Sequence, residues 1–147
     1  MPNPSSSIHN DSAHVEQLRD SVNAYCSRAL PPRRLRELRT LERPFDFAIW
    51  REMAELGWLG LIIPEAHSGL ALGGPAVVMM CRELGRVVAA EPYIESGIVC
   101  AGLLTSLERG GPHLELLLRG VAVYTCPLRA REWRDFARIQ ATAEGTI

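Results

Sequence analysis

Phe45–Leu104 reads FDFAIWREMAELGWLGLIIPEAHSGLALGGPAVVMMCRELGRVVAAEPYIESGIVCAGLL, and the punctuation of this stretch decides the fold. Asp46 stands where a side-chain oxygen can cap a helix. Phe47, Trp50, Met53, Ala54 and Leu56 then recur at helical steps, and Gly57 fits a left-handed stop. Trp58–Ile63 is a short apolar run closed by Pro64. The loop Pro64–Gly74, PEAHSGLALGG, lacks the G-x-G-x-x-G spacing of a dinucleotide fingerprint and is no phosphate loop; its glycines allow close packing. Gly74-Pro75 opens another helix with proline at its first position, where a missing N–H costs nothing. Val77, Cys81, Leu84 and Val88 predict its buried face. Glu91-Pro92 breaks the chain and restarts it. Ile94, Ile98, Ala101, Leu104 and Leu107 line the helix that follows, which ends at Gly110-Gly111-Pro112.

Upstream, residues 1–11 are rich in Pro, Ser and Asn and read as a flexible arm. Asp11 or Ser12 can cap a first helix whose apolar face is Val15, Leu18, Val22, Tyr25 and Ala29, ended by Pro31-Pro32. Leu35, Leu38 and Leu41 predict a short arginine-rich turn or helix. Its arginines are interleaved with Glu37 and Glu42, the pattern of a solvated face rather than a polyanion patch. Downstream, Leu114–Leu118 is a short segment and Val121–Cys126 is the one convincing strand. Trp133, Phe136, Ala137 and Gln140 stand at helical spacing in the tail.

At 147 residues the chain suits one domain. The expected division is an arm over 1–11, a helical domain over 12–120 and a separate tail over 121–147. Hydrophobic residues at 47% and charged residues at 22% exclude wholesale disorder. The formal charge of -1 recommends neither nucleic acid nor an anionic membrane. All 16 basic residues are arginine, which excludes Schiff-base lysine chemistry. The N-terminus lacks the basic start and apolar stretch of a secretory signal, and no charge-free run reaches the ~18 residues of a membrane span. A cytoplasmic, reducing location is expected.

Few residues recommend themselves as chemistry. Cys26, Cys81, Cys100 and Cys126 form no CxxC pair, so no metal site is expected, and Cys81 and Cys100 read as buried thiols. His67 and Ser68 are sequence neighbours without a third orienting group. His9, His14 and His113 share no ligand spacing. Glu91 and Glu95 stand at i and i+4, which suits a paired acid–base role or simply carboxylates at a helix start. Glu95, within an otherwise apolar helix, is the better marker of a pocket wall.

The same stretch resembles the N-terminal helical domain of the acyl-CoA dehydrogenases. Trp50–Gly60, Pro64–Gly73, Arg82–Arg86 and Pro92–Leu104 match the family's W-x-x-x-A-E-L-G-W-x-G helix, P-E-x-x-G-G-x-G loop, E-E-L-G-R helix and following helix, in order. Ala89–Ser96 looks like a bacterial subgroup of the family. Ser68 and Ala71 stand where the family has glycine, and each adds a Cβ where the backbone favours none.

The pattern along the chain reads as all-α with a short strand near 121–126, and the resemblance implies a helical bundle like that family's N-terminal domain. It implies FAD-dependent α,β-dehydrogenation of acyl-CoA thioesters in lipid metabolism, a flavoprotein oxidoreductase activity. It places the flavin mainly in a middle β-barrel and a C-terminal bundle, which also supplies the catalytic glutamate, and neither is matched by this sequence. No catalytic residue is therefore expected here, and a truncated or split chain is expected to be inactive alone and to retain little FAD. The domain's share is one wall of the acyl slot, for which Tyr93, Ile94, Glu95, Ile98, Val99 and Leu103 are the candidates. Faces left bare by the missing parts predict association, either as a homo-oligomer or as a non-catalytic partner of a full dehydrogenase subunit. An unrelated helical interaction module is the remaining alternative.

Overall fold

The computed structural model describes residues 4–40, 45–126 and 140–143, the side chains of 4–14 and 140–143 excepted. They fall into two compact units, Met1–Pro44 with Gly73–Ala89 and Phe45–Leu72 with Ala90–Ile147. The fold is mainly helical, as expected.

In the first unit, helix α1 (Pro4–Ala29) packs on α4 (Gly74–Arg86), and α2 (Arg33–Thr40) lies between them in sequence. α1 begins at Pro4 rather than at Asp11 or Ser12, so the arm expected over 1–11 is helical from Pro4 onward. Proline suits a helix's first position, where no N–H is required. Val22, Tyr25, Cys26 and Leu30 are buried, close to the predicted face. α4 starts at Gly74-Pro75 as its sequence predicts, but buries Ala76, Met79, Met80, Glu83 and Leu84. Val77 and Cys81 are half-buried and Val88 is 62% exposed, so the predicted face is rotated. Val88 has left the helix: its N–H bonds to the Gly85 carbonyl at 3.1 Å and that of Ala89 to Leu84 at 3.0 Å. This pairing closes a helix through one left-handed residue, usually glycine, and here that residue is Val88 at φ 51°.

In the second unit, α3 (Phe47–Glu55) is capped by Asp46, whose Oδ1 accepts the Ala48 N–H at 2.9 Å. Gly57 takes the left-handed stop at φ 77°. A 3-10 turn at Trp58–Gly60 buries all three of its residues. The glycine-rich loop folds back over this turn through Leu70 N–H to Gly60 O, Ala71 N–H to Ile63 O and Leu72 N–H to Leu61 O, at 2.8–2.9 Å. Such close return requires Gly69, since a Cβ there would stand 2.0 Å from the Ile63 oxygen. Ser68 (φ 62°) and Ala71 (φ 51°), where the resemblance implies glycine, both adopt the left-handed region.

After Pro92 comes a π-helix, Tyr93–Cys100, continued by α5 (Ala101–Ser106) and, after a turn, α6 (Gly111–Leu118). Strand β1 (Ala122–Thr125) confirms the predicted strand. It pairs antiparallel with an unexpected β2 (Gln140–Ala143), Ala122 opposite Ala143. Gln140 is thus in a strand, not a helix; Trp133, Phe136 and Ala137 lie outside the described residues, as does Leu41. Trp50, Met53, Trp58, Leu59, Leu61, Tyr93, Cys100, Leu117 and Tyr124 are among the buried residues of this unit. Each large apolar side chain so buried contributes about 1.5–3 kcal/mol. No helix among the described residues is long and apolar enough to cross a membrane.

Candidate functional site

The π-helix carries all but one of the residues that the sequence nominates as an acyl wall. Its inner side is pinned at three places. Tyr93 donates its hydroxyl hydrogen to the Trp58 carbonyl at 3.1 Å, Ser96 Oγ accepts the Tyr124 N–H at 3.0 Å, and Cys100 is fully buried. A Cβ at Gly97 would meet Leu59 Cδ2 at 3.4 Å and Tyr93 Cδ2 at 3.5 Å, ordinary van der Waals contact, so the segment packs on Leu59 without requiring glycine there.

The wider turn of a π-helix changes which residues face outward. Tyr93, Ser96, Gly97, Cys100, Ala101 and Leu104 are buried. Ile94 is 60% exposed and Leu103 41%, while Glu95, Ile98 and Val99 are half-buried. Five of the six nominated residues therefore lie on the outer, partly bare side. Tyr93 does not: it is a core residue whose hydroxyl is already engaged. Of the apolar residues spaced along this segment in the sequence, Ala101 and Leu104 are buried, while Ile94 and Leu107 are exposed.

The two glutamates separate. Glu91 is 5% exposed and its Oε1 accepts the Asp46 N–H at 3.4 Å, so it ties the start of α3 to the start of the π-helix. It precedes the helix rather than sitting in its first turn. Glu95 is on the outer side. Burial, then the neighbouring Cys126 and Glu95, push the Cys100 thiol up to about 11. In the other unit, burial and the Glu83 carboxylate push Cys26 up to about 11, opposed by Arg86, which pairs with Glu83 at 2.7 Å. Cys81 is only half-buried, its thiol raised by burial.

Sequence reasoning missed a hollow of about 320 Å³ lined by Leu104, Leu107, Glu108, Arg109, His113 and Tyr124. His113 Nδ1 and the Tyr124 hydroxyl share a hydrogen bond at 3.0 Å, with the rings edge to face at 5.7 Å. Burial raises the Tyr124 hydroxyl above its ordinary value. No periodic signal links His113 to Tyr124. None of the six nominated residues lines this hollow. Among the described residues no group of side chains has the make-up of a metal site. FAD exceeds the drug-sized ligands that fill pockets of about 300–1,000 Å³. A 320 Å³ hollow with a carboxylate on its lining does not fit it.

The family model described as "Acyl-CoA dehydrogenase, N-terminal domain" matches residues 12–108. Acyl-CoA dehydrogenase FadE27 of Mycobacterium tuberculosis is 36% identical over 94 residues, covering 64% of this chain and 24% of that protein. Acyl-CoA dehydrogenase IpdE2 of the same organism is 27% identical over 111 residues, covering 74% and 34%. Among solved structures, the Tcur3481-Tcur3483 steroid ACAD G363A variant aligns with a TM-score of 0.74 at 26% identity, over 84% of this chain and 34% of that one. The ChsE4-ChsE5 complex from Mycobacterium tuberculosis aligns with a TM-score of 0.64 at 28% identity, over 76% and 32%. The chain matches about a quarter to a third of the length of these curated relatives.

Proposed function

The chain belongs to the acyl-CoA dehydrogenase family, and from that premise we propose that it forms one wall of the acyl slot in an enzyme that oxidises acyl-CoA thioesters between Cα and Cβ. The outer side of the π-helix carries this reading. Ile94 and Leu103 lie bare beside half-buried Ile98 and Val99, on an element whose opposite side is pinned by three buried anchors. An apolar strip held this firmly loses little entropy when a hydrocarbon covers it, and the covering releases water. Its work is to bind and orient the acyl group and to keep water from it. Family membership implies FAD and a catalytic carboxylate, and the reading assigns both to polypeptide beyond the matched domain.

One observation favours a partner that is itself a dehydrogenase subunit: the solved neighbours carry paired names, Tcur3481-Tcur3483 and the ChsE4-ChsE5 complex. The first neighbour's description as a steroid ACAD suggests a steroid acyl-CoA as the substrate class.

The test is to purify the tagged chain from its native host. The expected result is co-purification with a larger flavoprotein whose visible flavin band bleaches when an acyl-CoA is added. Recovery of the chain without flavin, or with flavin that acyl-CoA leaves unbleached, overturns the reading.

A further inference from the structure

We propose that Glu95 determines specificity in this wall, selecting acyl groups that carry a hydroxyl over plain hydrocarbon; the inference rests on the reading of the π-helix as an acyl wall. Of the outer residues Ile94, Glu95, Ile98, Val99 and Leu103, Glu95 alone is polar. The segment's other polar side chains are turned inward and spoken for, Tyr93 on the Trp58 carbonyl and Ser96 on the Tyr124 N–H. Among the described residues no hydrogen-bond or ion-pair partner meets the Glu95 carboxylate. Its charge is felt at Cys100, five positions on, as the wide turn of a π-helix places it. Glu95 thus lies half-buried on the strip, next to Val99 in the following turn, and not out in solvent.

A carboxylate in such a place discriminates strongly. A plain acyl chain that covers it removes its water and offers no donor, which is costly. A hydroxyl at the right distance from the thioester donates to the carboxylate and removes that cost. The negative charge also repels the phosphates of coenzyme A, so the acyl end and not the nucleotide end lies against this strip.

The experiment uses the flavoprotein complex purified from the native host with wild-type chain, Glu95→Gln or Glu95→Leu. Each is assayed for kcat and KM with two acyl-CoAs of equal chain length, one unsubstituted and one from a series with the hydroxyl walked along the chain. The wild type is expected to favour one hydroxylated member. Glu95→Leu is expected to shift the kcat/KM ratio by about tenfold or more toward the unsubstituted chain, chiefly through KM. Glu95→Gln, which keeps an acceptor, is expected to retain part of the preference. An unchanged ratio across the three proteins overturns the assignment while leaving the wall reading intact. Loss of the partner with both variants also overturns it, and would make Glu95 a subunit contact. Failure of the wild-type chain to bring down any flavoprotein overturns the underlying reading, and the inference with it.

Discussion

Ser96 receives Tyr124: the serine Oγ accepts the tyrosine backbone N–H at 3.0 Å, between two residues buried to 0% and 1% exposure. This bond joins the π-helix to β1 and sets which residues of the helix can face outward. Removing the acceptor leaves a buried N–H unsatisfied, which costs about 1–3 kcal/mol. Ser96→Ala is therefore expected to lower stability by that amount in urea unfolding. A change below about 0.5 kcal/mol, the range of an ordinary surface substitution, would show that the bond does not hold the two elements together.

Val88, Ser68 and Ala71 take left-handed conformations that favour glycine. The conformation costs an L-residue about 1–2 kcal/mol. Val88→Gly is expected to raise the melting temperature, because Val88 is exposed and its side chain gives up little packing. Val87→Gly, at an ordinary φ of -100°, is expected to lower it.

Gly69 has the opposite sensitivity. A Cβ at this position would stand 2.0 Å from the Ile63 oxygen and 2.5 Å from the Ile63 Cβ. Gly69→Ala is expected to displace the loop from the Trp58–Gly60 turn and to destabilise the chain by more than Ser96→Ala does. Circular dichroism melts of the two variants give the order directly.

Cys26 and Cys100 are both raised from 9.0 to about 11. Between those values the native chain keeps protons that the unfolded chain has lost. The unfolded state then binds fewer protons, so stability falls as pH rises through this window and is flat in this respect below it. The Cys26→Ala/Cys100→Ala double variant is expected to be less stable at neutral pH, yet to lose less between pH 9 and 11. Denaturant midpoints at several pH values provide the check.

Ile94 and Leu103 present apolar surface without contributing a buried core side chain. Ile94→Asp and Leu103→Asp are each expected to leave stability within about 0.5 kcal/mol. In the native-host pull-down the same variants are expected to lose the flavoprotein or its bleaching by acyl-CoA. A stability loss as large as that of Ser96→Ala would place both residues in the core instead.

Much of this was legible before any coordinates. Asp46, Gly57, Gly74-Pro75 and Gly110-Gly111-Pro112 mark boundaries close to those observed, and Val121–Cys126 contains the one strand that its residues announce. The order of the motifs between Trp50 and Leu104 was enough to point to the family. Which residues of the segment after Pro92 face outward was not legible from spacing, since Ile94 and Leu107 share the apolar period of the buried Ala101 and Leu104 yet are exposed.

The sequence by itself determined the start of α3 at Asp46, its stop at Gly57 and the start of α4 at Gly74-Pro75, because caps, prolines and left-handed stops act through bonds and clashes within a few residues. Only the tertiary structure decided the π-helical register of Tyr93–Cys100, the burial of Glu91 beside Asp46, the pairing of β1 with β2 and the meeting of His113 with Tyr124. Those outcomes depend on partners 11 to 45 positions away in the chain. Which of them meet is settled by the close-packing of the core and by the need of every buried polar group for a partner, conditions that no local pattern encodes.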